Sequence, residues 1–404
     1  LESLDGQVKD FMTGFQSLGD GQQILAILAI LYFSEGACWL PRSAVCFSAI
    51  WRQYRPLRAA TFLRNERGGL VFFSLPPFSA PLICQSWPLC LSLDGIRLGG
   101  DTSDGVQPAT SSGPQHFAYD EIQSVESRHV ELLINGRAVA RCASTEIARG
   151  LAESLSSIRK APAAAREDGI DSILQGTTNV DAIRARLELL RTQGFVLTLA
   201  STCLFLYTFV LGYLLLCVPQ GVPYQSGIYF GGLAATWLAT VICFWLAHRR
   251  MFPEQNRERR HRVAMMLLVP TGGMRAPATL SRNLLANFHP LAVASVICSA
   301  ETFRALARQT LLSVNQLAPA DGNSGDATAA WFYSRLSHHL GDVVRLQGLE
   351  PSELLQAPTP DPDALSYCPR CHAQFVVSSG VCRECRTATL IPFAKANATV
   401  ALES

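Results

Sequence analysis

Two apolar runs dominate the pattern of this chain. Phe195 to Cys217 and Gly227 to Ala247 contain no charged residue, and as a helix each is long enough to cross roughly 30 Å of hydrocarbon. Both are expected to be membrane spans. The loop between them, Val218 to Ser226, carries Pro219, Gly221 and Pro223 to end both helices, with Tyr224 at headgroup level. A third run, Ile24 to Phe33 extended through Glu35, Cys38 and Trp39 to Leu40, predicts another span of minimal length. Along the last span Gly227, Gly231, Ala235 and Ala239 recur at every fourth residue. That spacing predicts a small-residue stripe packed against the preceding helix.

Between the first span and the hairpin the period shortens to that of strands. Leu70 to Leu75, Leu82 to Cys84, Leu89 to Leu93 and His116 to Tyr119 are short apolar stretches, the first three punctuated by Pro76, Pro77, Pro81 and Pro88. Val130 to Ile134, Asn135-Gly136 and Ala138 to Cys142 predict a hairpin, because Asn-Gly supplies the two positive φ values of a type I′ turn. Ser144 then caps a helix with Ile147, Leu151, Leu155 and Ile158 on one face. Gly99 to Gly113 reads as a long exposed loop, and Lys160 to Glu167 as a linker. Val180, Ile183, Leu187 and Leu190 form the stripe of a helix that leads into the hairpin, with Arg184, Arg186 and Arg191 on its other faces. Such a helix lies on the membrane surface or packs on its own domain.

After the hairpin, Leu284 to Ala300 is apolar but is interrupted by His289-Pro290, which fits a buried helix better than a fourth span. Thr302 to Val314 and Ala329 to Leu346 continue as helices, separated by a flexible segment at Ala318 to Asp326. Ala357 to Asp363, APTPDPD, predicts a stiff extended linker that holds the last module away from the helices.

Composition supports the membrane class: 49% of residues are hydrophobic and 16% charged, where soluble domains average about 25% charged. Charge also sets the topology. Arg42, Arg52, Arg55, Arg58, Arg64 and Arg67 follow the first run, and Arg249, Arg250, Arg257, Arg259, Arg260 and Arg262 follow the last. By the positive-inside rule the N-terminus lies outside, and residues 42–194 and 248–404 lie in the cytoplasm of a cell with an inner membrane. Glu35, inside the first run, reads as snorkelling toward Arg42 more than as a functional carboxylate. Nine of the 13 cysteines are scattered singly and read as small buried hydrophobes.

The other four carry the clearest chemistry. Cys368-Pro-Arg-Cys371 and Cys382-Arg-Glu-Cys385 are two CxxC turns, each able to bring two thiolates to one ion, and together they complete a tetrahedral four-sulfur site. A module this small needs metal to fold. The metal ligands are thus Cys368, Cys371, Cys382 and Cys385, and the expected cofactor is structural zinc, with iron as the alternative. These residues resemble a zinc ribbon, whose near neighbour is the rubredoxin-like iron site. Phe117 to Ile122, FAYDEI, with the hairpin and helix after it, resembles the end of a bacterial pleckstrin-homology-like domain. The order of parts is similar to that of polytopic bacterial membrane proteins ending in a zinc ribbon.

The expected fold is therefore an integral membrane α-helical protein of three spans, with a cytoplasmic β-rich domain, a cytoplasmic helical domain and a C-terminal zinc ribbon. Its expected divisions are 1–41 with the first span, 42–160 β-rich, 161–194 linker and juxtamembrane helix, 195–247 hairpin, 248–356 basic flank and helical domain, 357–365 linker, 366–394 ribbon and 395–404 tail. Expected partners are the lipid bilayer and a protein on the cytoplasmic side. Arg370, Arg383 and Arg386 with Glu384 among them make a weak footprint for nucleic acid. The function expected is a non-enzymatic one, presenting cytoplasmic modules in a scaffold, assembly or regulatory role. The alternatives are a membrane-bound enzyme with its site in 263–356, using His289, Glu301 or the adjacent His338 and His339, and an electron-transfer protein using the four cysteines. HExxH, GxSxG, phosphate-loop and dinucleotide patterns are absent from the sequence. His338 and His339 read as surface residues, since neighbours on a helix point about 100° apart.

Overall fold

The computed structural model describes residues 61–64, 70–73, 82–85, 87, 89–98, 116–208, 225–253, 255–268, 272–282, 284–317, 327–369, 371–383 and 389–393, with positions 23, 27, 30, 31, 33 and 34. Glu35 and most of the expected first span, the arginine-rich flank at 42–60, the loops at 99–113 and 318–326, residues 209–224 of the hairpin, and Cys385 lie outside these residues. The described chain is mostly helical with small antiparallel sheets. It divides into two compact units, one of Leu1–Trp51, Leu75–Ala80 and Leu187–Arg282, the other of Arg52–Ser74, Pro81–Arg186 and Asn283–Ser404.

In the second unit the strands β1 (Thr61–Arg64), β2 (Leu70–Phe73) and β3 (Leu82–Cys84) form one meander. β4 (Leu89–Leu91), β5 (Gly95–Leu98) and β6 (His116–Ala118) form the next, and β7 (Val125–Arg128), β8 (Glu131–Ile134) and β9 (Arg137–Arg141) the third. The β8–β9 turn has the backbone that its dipeptide demands, with φ 53° at Asn135 and 75° at Gly136. Asn135 also pins the turn to the chain before β7: its Oδ1 accepts from the Gln123 and Ser124 amides at 2.7 and 3.1 Å, and its Nδ2 donates to Glu121 O at 3.0 Å. At Gly95 the backbone approaches β6 so closely that a Cβ would meet the Phe117 carbonyl and lie 2.7 Å from His116 Nε2.

Helix α1 (Thr145–Lys160) starts where Ser144 caps it, the hydroxyl accepting from Ile147 N at 3.2 Å. Its apolar face buries Ile147, Leu151, Leu155 and Ile158, each worth about 1.5–3 kcal/mol of apolar burial. The expected linker at 160–167 is mostly helix, because Pro162 suits the start of α2 (Ala163–Thr178). Arg166 then ties the short α1–α2 joint to the β4–β5 turn, donating to Ala161 O at 3.3 Å and Leu93 O at 2.9 Å and covering the Tyr119 ring.

The β-rich part and the later helices, expected as separate domains, belong to this one unit. α7 (Pro290–Ile297) is eight residues long, about 12 Å, and so does not span a bilayer. His289 caps it, Pro290 occupies its first turn, and Cys298 ends it in extended backbone. α8 (Ala300–Leu317) and α9 (Ala327–Arg345) pack together, with α10 (Pro351–Leu355) against both. α9 also meets β4 and α2. Arg335 on α9 pairs with Glu167 and reaches Asp171 at 3.9 Å, and His339 Nε2 lies 3.1 Å from Asp171. His338 is exposed as expected, whereas His339 is not a surface residue: its side chain is 12% exposed in the α2–α9 seam.

The first unit holds most of α3 (Val180–Leu206), then α4 (Gln225–Met251), α5 (Asn256–Leu268) and α6 (Gly272–Arg282). The stripe helix and the first hairpin run are one continuous helix, and Val180, Ile183, Leu187 and Leu190 are all buried. α3 and the Phe230–Met251 part of α4 are long and apolar enough to cross a membrane by length and composition, compatible with a membrane protein. Six described positions fall near the expected first span, where Phe33 stacks on Phe205 of α3 at 5.7 Å.

The expected small-residue stripe of α4 is not the packed one. Gly231, Ala235 and Ala239 are exposed, and a Cβ on Gly231 would meet nothing within 4 Å. The face one residue on is engaged instead: Gly232 lies against Tyr207, and the buried Thr240 donates to Ala200 O at 3.2 Å. Hydroxyls that find a carbonyl across the seam decide this orientation, which small size alone leaves open. Ser201 likewise donates to Gly273 O of α6 at 2.9 Å. Two of the six arginines after the last apolar run are structural: Arg259 is buried over the Trp245 ring, and Arg262 pairs with Glu258 at 3.0 Å in a largely covered position.

Candidate metal centre

Past Pro351–Leu355 the chain runs through the APTPDPD segment into a sheet of three short strands, β10 (Ser366–Tyr367), β11 (Gln374–Phe375) and β12 (Ile391–Pro392), in the order β11-β10-β12. β10 leads directly into Cys368. The chain then turns tightly, Cys368 O accepting from His372 N and Cys368 N donating to Ala373 O, both at 2.9 Å. His372 closes the turn at φ 60°, the left-handed conformation that glycine often supplies after a metal knuckle. The second turn is reached through Gly380 at φ 138°, with Leu390 N donating to Gly380 O and a bridge between Val381 and Thr389.

These turns bring Cys368, Cys371 and Cys382 together, their sulfur atoms all within 4.8 Å of one another. Cys371 Sγ and Cys382 Sγ are 3.7 Å apart. A disulfide would need about 2.05 Å, whereas a metal–thiolate tetrahedron with bonds of about 2.3 Å has sulfur–sulfur edges of roughly 3.8 Å. The group can therefore hold a metal ion. Cys368, Cys382 and Leu390 make up one buried cluster of the module, with Phe375 packed on it. Tyr367 and Phe393 are also buried and pair with ring centroids 5.1 Å apart, so thiols supply part of a small core.

The linker does not hold this module away from the helices. Gln374 of β11 binds it on both sides of its amide, Nε2 donating to Thr359 O and Oε1 accepting from Asp361 N, each at 2.8 Å. Arg308 of α8 lies beside Cys371, Cys368 and Tyr367, with burial first and Arg304 next lowering its guanidinium, and burial with Arg308 nearby pulls the His372 imidazole down to about 4. Sequence reasoning missed Arg308, because nothing in a helix of mixed polarity announces which module it will face.

The other residues weighed from sequence have separate places. His289 is a buried helix cap, its Nδ1 accepting from Leu291 N at 3.2 Å, and burial pulls its imidazole down to about 4. Glu301 sits in the exposed first turn of α8, apart from His338 and His339 on α9. Of the singly placed cysteines, Cys84, Cys90, Cys142 and Cys298 are buried as expected, while Cys203 on α3 is exposed and Cys243 intermediate. Burial pushes the Cys142 and Cys298 thiols up to about 12, so these behave as apolar groups. In comparison with known proteins, the chain matches no family model, no curated protein and no solved structure.

Proposed function

We propose that this chain is a non-enzymatic integral membrane protein that presents cytoplasmic modules, among them a C-terminal zinc ribbon, to a protein partner. On this reading Cys385 completes the site of Cys368, Cys371 and Cys382, and the metal is zinc in a closed four-sulfur position. Three spans of an inner membrane place the N-terminus outside and the ribbon in the cytoplasm, beside a β-rich part of pleckstrin-homology-like kind. The observation that carries the reading is a partial inversion of the ribbon: Cys368 and Cys382 sit in its buried cluster, while Leu365, Val376, Val377 and Val381 are exposed. A module stabilised by metal keeps its apolar side chains available for contact, and aliphatic residues at such a surface suit a protein.

The test uses full-length protein in detergent. Elemental analysis is expected to give one zinc per chain, and Cys382→Ser and Cys385→Ser each to lose it and to make residues 366–393 protease-sensitive. Zinc binding supplies on the order of 10 kcal/mol to such modules. Val376→Ser with Val377→Ser should keep the zinc and release a stoichiometric protein partner captured by the native chain. Stoichiometric iron with a visible absorption band would replace this reading by electron transfer, and a protease-resistant tail free of metal would end both.

A further inference from the structure

We propose that a cavity in the second unit, walled by α1, the first turns of α3 and the Leu284–His289 segment, binds a small organic carboxylate with an apolar body. The cavity measures about 360 Å³, within the size range of small-molecule sites, roughly 300–1,000 Å³. Among the described residues no aspartate or glutamate lines it, and the one strong cation that does is Arg186. Its Nη1 donates to Leu284 O at 3.0 Å while the guanidinium lies 4.8 Å from the centre of the Phe288 ring. Among the described residues Arg186 has no carboxylate partner. A guanidinium with five N–H groups, one engaged by a carbonyl and none by an anion, is set to receive a planar carboxylate.

A second, independent group points to a ligand. Gln85, 6% exposed, also lines the cavity. Its Oε1 is taken by Ala143 N at 2.8 Å, and its Nε2 has no partner among the described residues. A buried amide donor left unmade costs on the order of 1–3 kcal/mol, and an acceptor oxygen on the ligand removes that cost. The remaining wall is largely apolar, with Trp87, Ile147, Leu151 and Phe288 supplying flat and aliphatic contact for a carbon skeleton.

Charge selects a monoanion over a phosphate. His289 faces the same space, but its Nδ1 is committed as the acceptor that caps α7, so it adds no second positive charge near neutral pH. A dianion would bring one more negative charge than the cavity can neutralise.

The site shares no residue with the cysteine module, so its test is independent of the zinc reading. Full-length protein in detergent is titrated calorimetrically with 2-naphthoate, octanoate, inorganic phosphate and the neutral isostere 2-naphthamide. At least one of the two acids is expected to bind saturably at one site per chain, with naphthamide and phosphate at least tenfold weaker. Arg186→Met should abolish the preference for acid over amide. Because that change also removes the Leu284 hydrogen bond, Ser154→Phe serves beside it, filling the cavity and blocking binding with Arg186 intact. Failure of both acids to bind, equal affinity for acid and amide, tighter binding of phosphate, or unchanged binding by folded Ser154→Phe protein would each overturn the assignment.

Discussion

α4 and α7 both come from runs of apolar residues, yet they meet opposite surroundings. In α4 one face of large side chains points outward, with Phe230 64%, Leu238 53% and Ile242 49% exposed, while Phe244 is buried on the other. In α7, Leu291, Ala292, Val293 and Ala294 are all 0% exposed. Hydropathy says only that each helix must leave water. Length and neighbours decide what replaces the water: α4 is long enough to cross hydrocarbon, whereas α7 is stopped at both ends and is apolar except for Ser295, the mark of a helix largely enclosed by protein.

The contrast is tested most strongly at matched leucines. Leu291→Ala opens a cavity in a closed core and should cost about 2–5 kcal/mol; Leu238→Ala, at an outward position, should stay within about 0.5 kcal/mol. Denaturant or thermal unfolding in detergent measures both, and equal costs would mean that the two helices are packed alike.

Acidification probes the cap that starts α7. His289 titrates near 4 when folded and near 6.5 when unfolded, so between these values the unfolded chain binds more protons. Stability is therefore full above about pH 6.5 and falls by roughly 3 kcal/mol as the pH drops to 4. Protonation of Nδ1 would also remove the acceptor for Leu291 N. His289→Asn, which retains a capping acceptor, should flatten that part of the stability profile. An unchanged slope would remove His289 from the account.

The smallest expected effect sharpens the α4 side. Gly232→Leu drives a side chain into Tyr207 and should destabilise by about 1–3 kcal/mol. Gly231→Leu enters open space and should lie within about 0.5 kcal/mol. The reverse order would restore Gly227, Gly231, Ala235 and Ala239 as the packed stripe.

These pairs also mark where the sequence was legible. Asn135-Gly136 acts through its own backbone φ and Ser144 through a bond to Ile147, three positions on, so their turn and cap can be read directly. The cysteine turns are as local: CxxC fixes two sulfurs, and the structure adds Cys382 to Cys368 and Cys371. Arg186 could not be read as a cavity residue, because its carbonyl partner lies 98 positions along the chain. Gln85 is held by Ala143, 58 positions away, for the same reason.

The sequence alone determined the properties that follow from composition and short spacing: two uncharged runs of spanning length, a type I′ hairpin, a capped amphipathic helix, and thiols paired by CxxC. Tertiary structure decided which face of α4 is packed, that His339 and Arg335 clasp α2, that Arg308 meets the C-terminal module, and that Arg186 and Gln85 border one cavity. The physical reason is range. Backbone conformation and the geometry of a CxxC turn are set within a few residues, whereas a side chain's partner is set by which distant surface closes over it, and hydrophobic burial that drives the closure is non-directional.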